Sequence, residues 1–132
     1  MDVSPTIDVE QRVLRSRELF LSGYNCSQSV FMSLADIYGL SDEQAARLSA
    51  SFGGGVGRLR EMCGACSGMA LLEGLQSGAT KAEDSAGKQA NYSNVQALVH
   101  RFVAENGSYL CRELLQLRKD APTSPTPDAR TA

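Results

Sequence analysis

Apolar positions along this chain recur at intervals of three and four, the spacing of helices with one buried side. Val9, Val13 and Phe20, with Leu14 and Leu21 beside them, predict a first helix that Gly23 ends. Asn25 with Gln28 has the form of a capping box and opens a second helix. Its expected buried stripe is Val30, Phe31, Leu34, Ile37 and Tyr38, and Gly39 stops it. Ser41 with Gln44 repeats the cap before a short third helix carrying Ala45, Leu48 and Phe52. The glycines between 53 and 57 break it.

A fourth helix is expected to begin between Arg60 and Cys63 and to run to Gln76. Met62, Ala65, Met69, Leu72 and Leu75 share one side of it, and Gly78 closes it. Thr80 with Glu83 offers a further cap. A long fifth helix over about residues 86–105 carries Tyr92, Val95, Val99, Phe102 and Val103, and Asn106-Gly107 ends it. Ser108 is placed to cap a last short helix with Leu110, Leu114, Leu115 and Leu117. No stretch alternates with period two over a useful length, so no sheet is expected. The pattern predicts an all-α fold, a compact single-domain bundle of five or six helices over residues 1–118. Residues 119–132 form a Pro-rich polar tail, expected to be disordered.

Composition narrows the partners. At 132 residues the chain fits one domain, and 42% hydrophobic with 21% charged residues is that of a soluble globular protein. A net charge of −2, without a basic stripe, argues against nucleic acid. No apolar run approaches the roughly 18 residues of a membrane span, so no membrane insertion is expected. The first ten residues lack a basic region followed by an apolar one, so no secretory signal is read and a cytoplasmic, reducing setting is expected. There the four cysteines are expected as free thiols, metal ligands or transient disulfides.

Their placement gives the candidate chemistry. Cys63-Gly64-Ala65-Cys66 is a C-x-x-C segment near the start of the fourth helix. Cys26 is the first residue after the Asn25 cap, and Cys111 the third after Ser108. The first turn of a helix presents free N–H groups and the positive end of its dipole, and both favour thiolate. Such placement can lower a thiol pKa from about 8.5 to roughly 3.5–7.5. Arg58 and Arg60 beside Cys63, and Arg112 beside Cys111, add to this, while Glu61 and Glu113 oppose it. By itself C-x-x-C suits a dithiol couple, a zinc or iron–sulfur site, or a buried packing role. A thioredoxin setting wants a preceding strand and a zinc ribbon wants two such pairs, and the chain shows neither.

Other features read more plainly. The glycine run lacks the Gly-Lys-Ser/Thr ending of a phosphate loop and reads as a connection that lets two helices approach. Gly64 and Gly68 would likewise admit a neighbouring backbone close to the thiols. His100, the only histidine, reads as an ordinary helix residue before a base or fourth ligand. Tyr24 and Asn25 suit a turn and cap, and Met62 and Met69 suit packing.

Gly23-Tyr24-Asn25-Cys26-Ser27-Gln28, then Phe52-Gly53-Gly54-Gly55, then Cys63-Gly64-Ala65 with Gly68, then Cys111-Arg112-Glu113-Leu114-Leu115 together resemble the C-GCAxxG-C-C family of small redox-active proteins. The likeness runs over about residues 10–118 in matching order and spacing. It implies a helical fold, with thiol redox or metal–sulfur chemistry at Cys26, Cys63 and Cys111. The chain departs from the family pattern twice. The pattern has one more cysteine downstream of Cys111, and Cys66 stands at a variable position, either as a substitute or incidentally.

Three readings follow. In the first, the chain is a thiol-redox protein, in its enzymatic form a thiol–disulfide oxidoreductase. Cys63 attacks, Cys66, Cys26 or Cys111 resolves, and a redox partner protein or small thiol completes the exchange. In the second, Cys26, Cys63, Cys66 and Cys111 ligate zinc or an iron–sulfur cluster. In the third, the bundle is an interaction domain whose cysteines only pack. The first two expect the starts of the second, fourth and sixth helices to converge on a shared pocket. Oligomeric state, electron donor and acceptor are not fixed by sequence.

Overall fold

The structure is a computed structural model that describes residues 7–127. Residues 1–6 and 128–132, and with them the ends of the expected leaderless N-terminus and polar tail, lie outside the described residues. Six α-helices and two short 3-10 turns make up the described fold: α1 (Val9–Leu21), α2 (Cys26–Met32), α3 (Asp42–Ser49), α4 (Gly64–Ser77), α5 (Ser85–Asn106) and α6 (Cys111–Leu114). The described residues contain no sheet. Met62 and Leu110 pair only as a single antiparallel bridge.

Local chemistry sets the boundaries. Asn25 and Ser41 each accept from the amide three residues on, and Gln28 and Gln44 reach back to close both capping boxes. Asp8 caps α1. Asp84, rather than the Thr80–Glu83 pair, caps α5 by accepting from the Gly87 amide at 2.8 Å. Gly39 and Gly107 end their segments in the left-handed conformation. The second helix is shorter than its apolar stripe predicts, because the chain tightens after Met32 into the 3-10 turn Ala35–Tyr38. Likewise α4 starts at Gly64, so Met62 lies outside it.

The helices are laid out around α2, which packs against α1, α3 and α4, while α4 carries α5 on its other side. Phe31, Met32, Ala35, Ala45 and Leu72 form the core, with Leu19, Val30, Leu34, Tyr38 and Leu71 packed on it. Burial of these side chains is the main stabilising contribution. Arg12 and Arg15 fasten α1 across the end of α2. Arg12 donates to the Ser33 carbonyl at 3.0 Å and Arg15 to the Met32 carbonyl at 3.4 Å, answering acceptors that a helix end leaves free. Both also pair with carboxylates, Asp36 and Asp42.

Several apolar positions expected inside are exposed. Val9, Val13, Leu14 and Leu21 of α1 face solvent, as do Leu48, Leu75 and Tyr92. One cause lies between α4 and α5, where a polar seam takes the place of an apolar one. Ser77 donates to Glu73, and Asn91 and Asn94 donate to Ser77 and Glu73. Periodicity marks a side of a helix, but not whether another element covers it.

Candidate thiol site

The site forms where α2 crosses α4, and small residues make that crossing close. A Cβ placed on Gly64 would collide with the Cys26 sulfur and would stand 3.0 Å from both the Phe52 carbonyl and the Ser27 amide. On Gly68 it would stand 3.0 Å from the Ser27 carbonyl and from Val30 Cβ. Ser27 and Ser67 are buried at the same crossing. The two glycines, one turn apart, thus let the start of α2 lie on the start of α4.

Each thiol enters through a helix start. Cys26 is the first residue of α2, Cys63 the N-cap of α4, Cys66 its third residue and Cys111 the first residue of α6. All four are free thiols; Cys26 and Cys63 are half-buried, Cys66 and Cys111 buried. Cys63 is the hub. It lies within electrostatic reach of Cys26, Cys111 and Cys66.

A backbone clamp brings α6 to this hub. The Cys63 amide donates to the Tyr109 carbonyl at 2.7 Å, and the Cys111 amide to the Glu61 carbonyl at 2.6 Å. The Arg112 amide adds a third bond, to the Arg60 carbonyl at 3.2 Å. The glycine run makes the approach to the clamp by an unusual route. Residues 54 to 58 and residue 60 all have φ between +56° and +76°, and three of them, Val56, Arg58 and Arg60, are not glycine. A side-chain-bearing residue in that region costs roughly 1–2 kcal/mol. The Arg60 and Glu61 amides donate back to Gly54 and Gly55 and hold the loop.

Electrostatics at the hub differ from the sequence expectation. Burial pushes the Cys63 thiol up, and the Ala65 and Cys66 amides at the start of α4 offset this only in part. Burial, with the Cys63 charge behind it, pushes Cys66 up to about 11. The neighbouring arginines also point elsewhere. Arg58 donates to the Ser124 carbonyl, and Arg112 to the carbonyls of Leu59, Arg118 and Lys119. Arg60, beside Cys63 in sequence, turns to Cys111, with Nη1 3.6 Å from that sulfur. The glycine run marks the turn only in part, since at Val56, Arg58 and Arg60 the left-handed backbone that aims it falls on residues whose type does not announce it. Glu113 is engaged by the Ser108 hydroxyl.

Cys26 lines a cleft of about 300 Å³ whose walls are Ser16, Arg17, Phe20 and Leu21 of α1, Ser29 and Val30 of α2, and Ala65. Cys66 and Cys111 are buried, Cys63 is half-buried, and Cys26 opens onto the cleft. The sequence reading also passed over Ser27 and Ser29. Both are buried, and among the described residues neither hydroxyl has a hydrogen-bond partner. Their small size at the crossing is the property the packing uses. His100 is exposed on α5, and Asn25 is occupied by its cap and by a 2.9 Å bond to the Ala50 carbonyl. Among the described residues no group of three or more His, Cys, Asp or Glu side chains is placed to hold a metal ion.

A short helical bundle that groups free cysteines at the starts of three helices defines a small all-α cysteine protein. The chain belongs to the C_GCAxxG_C_C family: the family profile described as "Putative redox-active protein (C_GCAxxG_C_C)" matches residues 24–130. The family description makes it a protein of the redox-active kind. No curated protein and no solved structure gives a match.

Proposed function

We propose that this protein is a dithiol redox protein in which Cys26 and Cys63 form the exchanging couple. The observation that carries this reading is the seat of the Cys26 sulfur on Gly64, the residue after Cys63, where no side chain fits between. Cys26 lines the cleft and meets the partner, and Cys63, at the start of the helix that α2 crosses, resolves. This reverses the order expected from sequence, because burial disfavours the Cys63 thiolate as first attacker.

The exchange is a pair of sulfur displacements. Ionised Cys26 attacks one sulfur of a partner disulfide. That S–S bond breaks and one partner thiol leaves. Ionised Cys63 then attacks the Cys26 sulfur of the mixed disulfide and releases the second partner thiol. Two electrons and two protons pass from the chain to the partner. Four thiols with no structural disulfide among them suit a reducing compartment, which for this reading is the cytoplasm.

Peptide mapping after mild oxidation with oxidised glutathione tests the couple. The chain is expected to lose two hydrogens in mass and to yield a Cys26–Cys63 cross-link. Cys26→Ser and Cys63→Ser each abolish the cross-link, and Cys66→Ser retains it. A link that excludes Cys26, or the absence of any link, overturns the reading.

A further inference from the structure

Arg60 is 8% exposed, and among the described residues no carboxylate forms an ion pair with it. A buried guanidinium without an anion is costly. The side-chain group it meets is the Cys111 sulfur, at 3.6 Å from Nη1. The left-handed backbone at Arg60 and the clamp between residues 60–63 and 109–112 hold the two together. Strain of this kind concentrates at functional sites.

Cys111 itself is 8% exposed. A bulky disulfide cannot bring its S–S bond in line with so covered a sulfur, whereas a molecule of two oxygen atoms can. From these observations we infer that Cys111 and Arg60 form a second thiol site, whose substrate is a small hydroperoxide. Arg60 supplies the positive charge that the thiolate and the developing oxyanion need, through a charge-assisted hydrogen bond.

The chemistry balances in two steps. The Cys111 sulfur attacks one peroxide oxygen, the S–O bond forms as the O–O bond breaks, and the departing hydroxide takes a proton to become water. Cys111 is oxidised to the sulfenic acid, and the peroxide is reduced by two electrons. Cys63, which the backbone clamp ties to the segment that carries Cys111, then attacks the sulfenic sulfur. An S–S bond forms, the S–O bond breaks, and a second water leaves. Only this last step draws on the hub role of Cys63 in the dithiol reading.

Sulfenic-acid trapping tests the site. Full-length Cys63→Ser protein is treated with one equivalent of hydrogen peroxide for timed intervals and then unfolded in denaturant containing dimedone, so that the reagent reaches every sulfenic acid formed in the fold, and the adduct is located by peptide mass. The label is expected on Cys111. Adding Arg60→Gln should slow labelling about tenfold or more, the worth of one hydrogen bond to a charged group, and Arg60→Lys should recover part of it. Labelling confined to Cys26, no labelling, or an unchanged rate in Arg60→Gln overturns the proposal. Glutathione exchange at Cys26–Cys63 is followed in the single Arg60→Gln protein and should keep its wild-type rate. A fall in both reactions makes Arg60 a packing residue and overturns the proposal. Failed exchange in the wild type with persistent labelling of Cys111 overturns only the dithiol reading. If Arg60→Gln does not fold, Arg60→Lys is read against wild type, and an equal rate overturns the proposal.

Discussion

The α2–α4 crossing and the α1 helix are built on opposite plans. At the crossing, Gly64, Gly68, Ser27 and Ser67 bring two backbones together, and the thiols lie where the helices start. In α1 no residue is fully buried, and polar bonds from two arginines supplement the packing of Leu19 on the core. The crossing is fixed by shape and tolerates no added atoms. The outer helix is held by partial packing and partly solvated polar bonds and tolerates many.

The sharpest break in this contrast is Phe31→Ala. Phe31 is 1% exposed at the centre of the core, so the loss is expected to be about 3–5 kcal/mol by denaturant unfolding. A loss below about 1 kcal/mol would remove α2 from the centre.

Next comes the response to high pH. Cys66 is held at about 11 in the fold, against an ordinary value of 9.0. Its neutral form is the one the fold favours, so its contribution is complete below about pH 9 and falls away between about pH 9 and about 11. The loss is roughly 2–3 kcal/mol. Unfolding curves across that window should show the decline, and Cys66→Ser should lessen it, leaving the share of Cys63, which burial also raises. Equal declines in both proteins would place the titration elsewhere.

Gly64→Ala is expected to cost about 1–3 kcal/mol by overpacking, and to slow formation of the Cys26–Cys63 link. An unaffected melting temperature would show that the crossing can spread. At the small end, Leu14→Ser on exposed α1 should change stability by no more than about 0.5 kcal/mol. A larger loss would mean that α1 is covered in solution, which size-exclusion chromatography with light scattering would reveal.

What the sequence disclosed was local. The Asn25–Gln28 and Ser41–Gln44 boxes depend on residues three apart and appear where their letters predict. Gly107 ends α5 for the same reason. The glycine pair in the C-G-A-x-x-G segment also carried its meaning, since a backbone does approach there. The rest depends on distant parts of the chain. Val13 and Leu14 have the right period for burial, but among the described residues no element covers them. Arg60 stands three residues from Cys63 yet serves Cys111, fifty-one residues away, because the chain turns through the left-handed region between Gly54 and Arg60. Burial then sets the titration of Cys63 and Cys66 against the helix start, an outcome that depends on what covers them.

The fastening of α1 bears on traffic through the cleft. Ser16, Arg17, Phe20 and Leu21 supply its outer wall, and that wall is moored to the end of α2 through Arg12 and Arg15. The mooring is partly solvated, so dissolved ions weaken it while leaving the apolar core intact. Raising ionic strength should therefore loosen the doorway to Cys26 before it unfolds anything. Alkylation of Cys26 would quicken in concentrated sodium chloride while Cys66 kept its shelter.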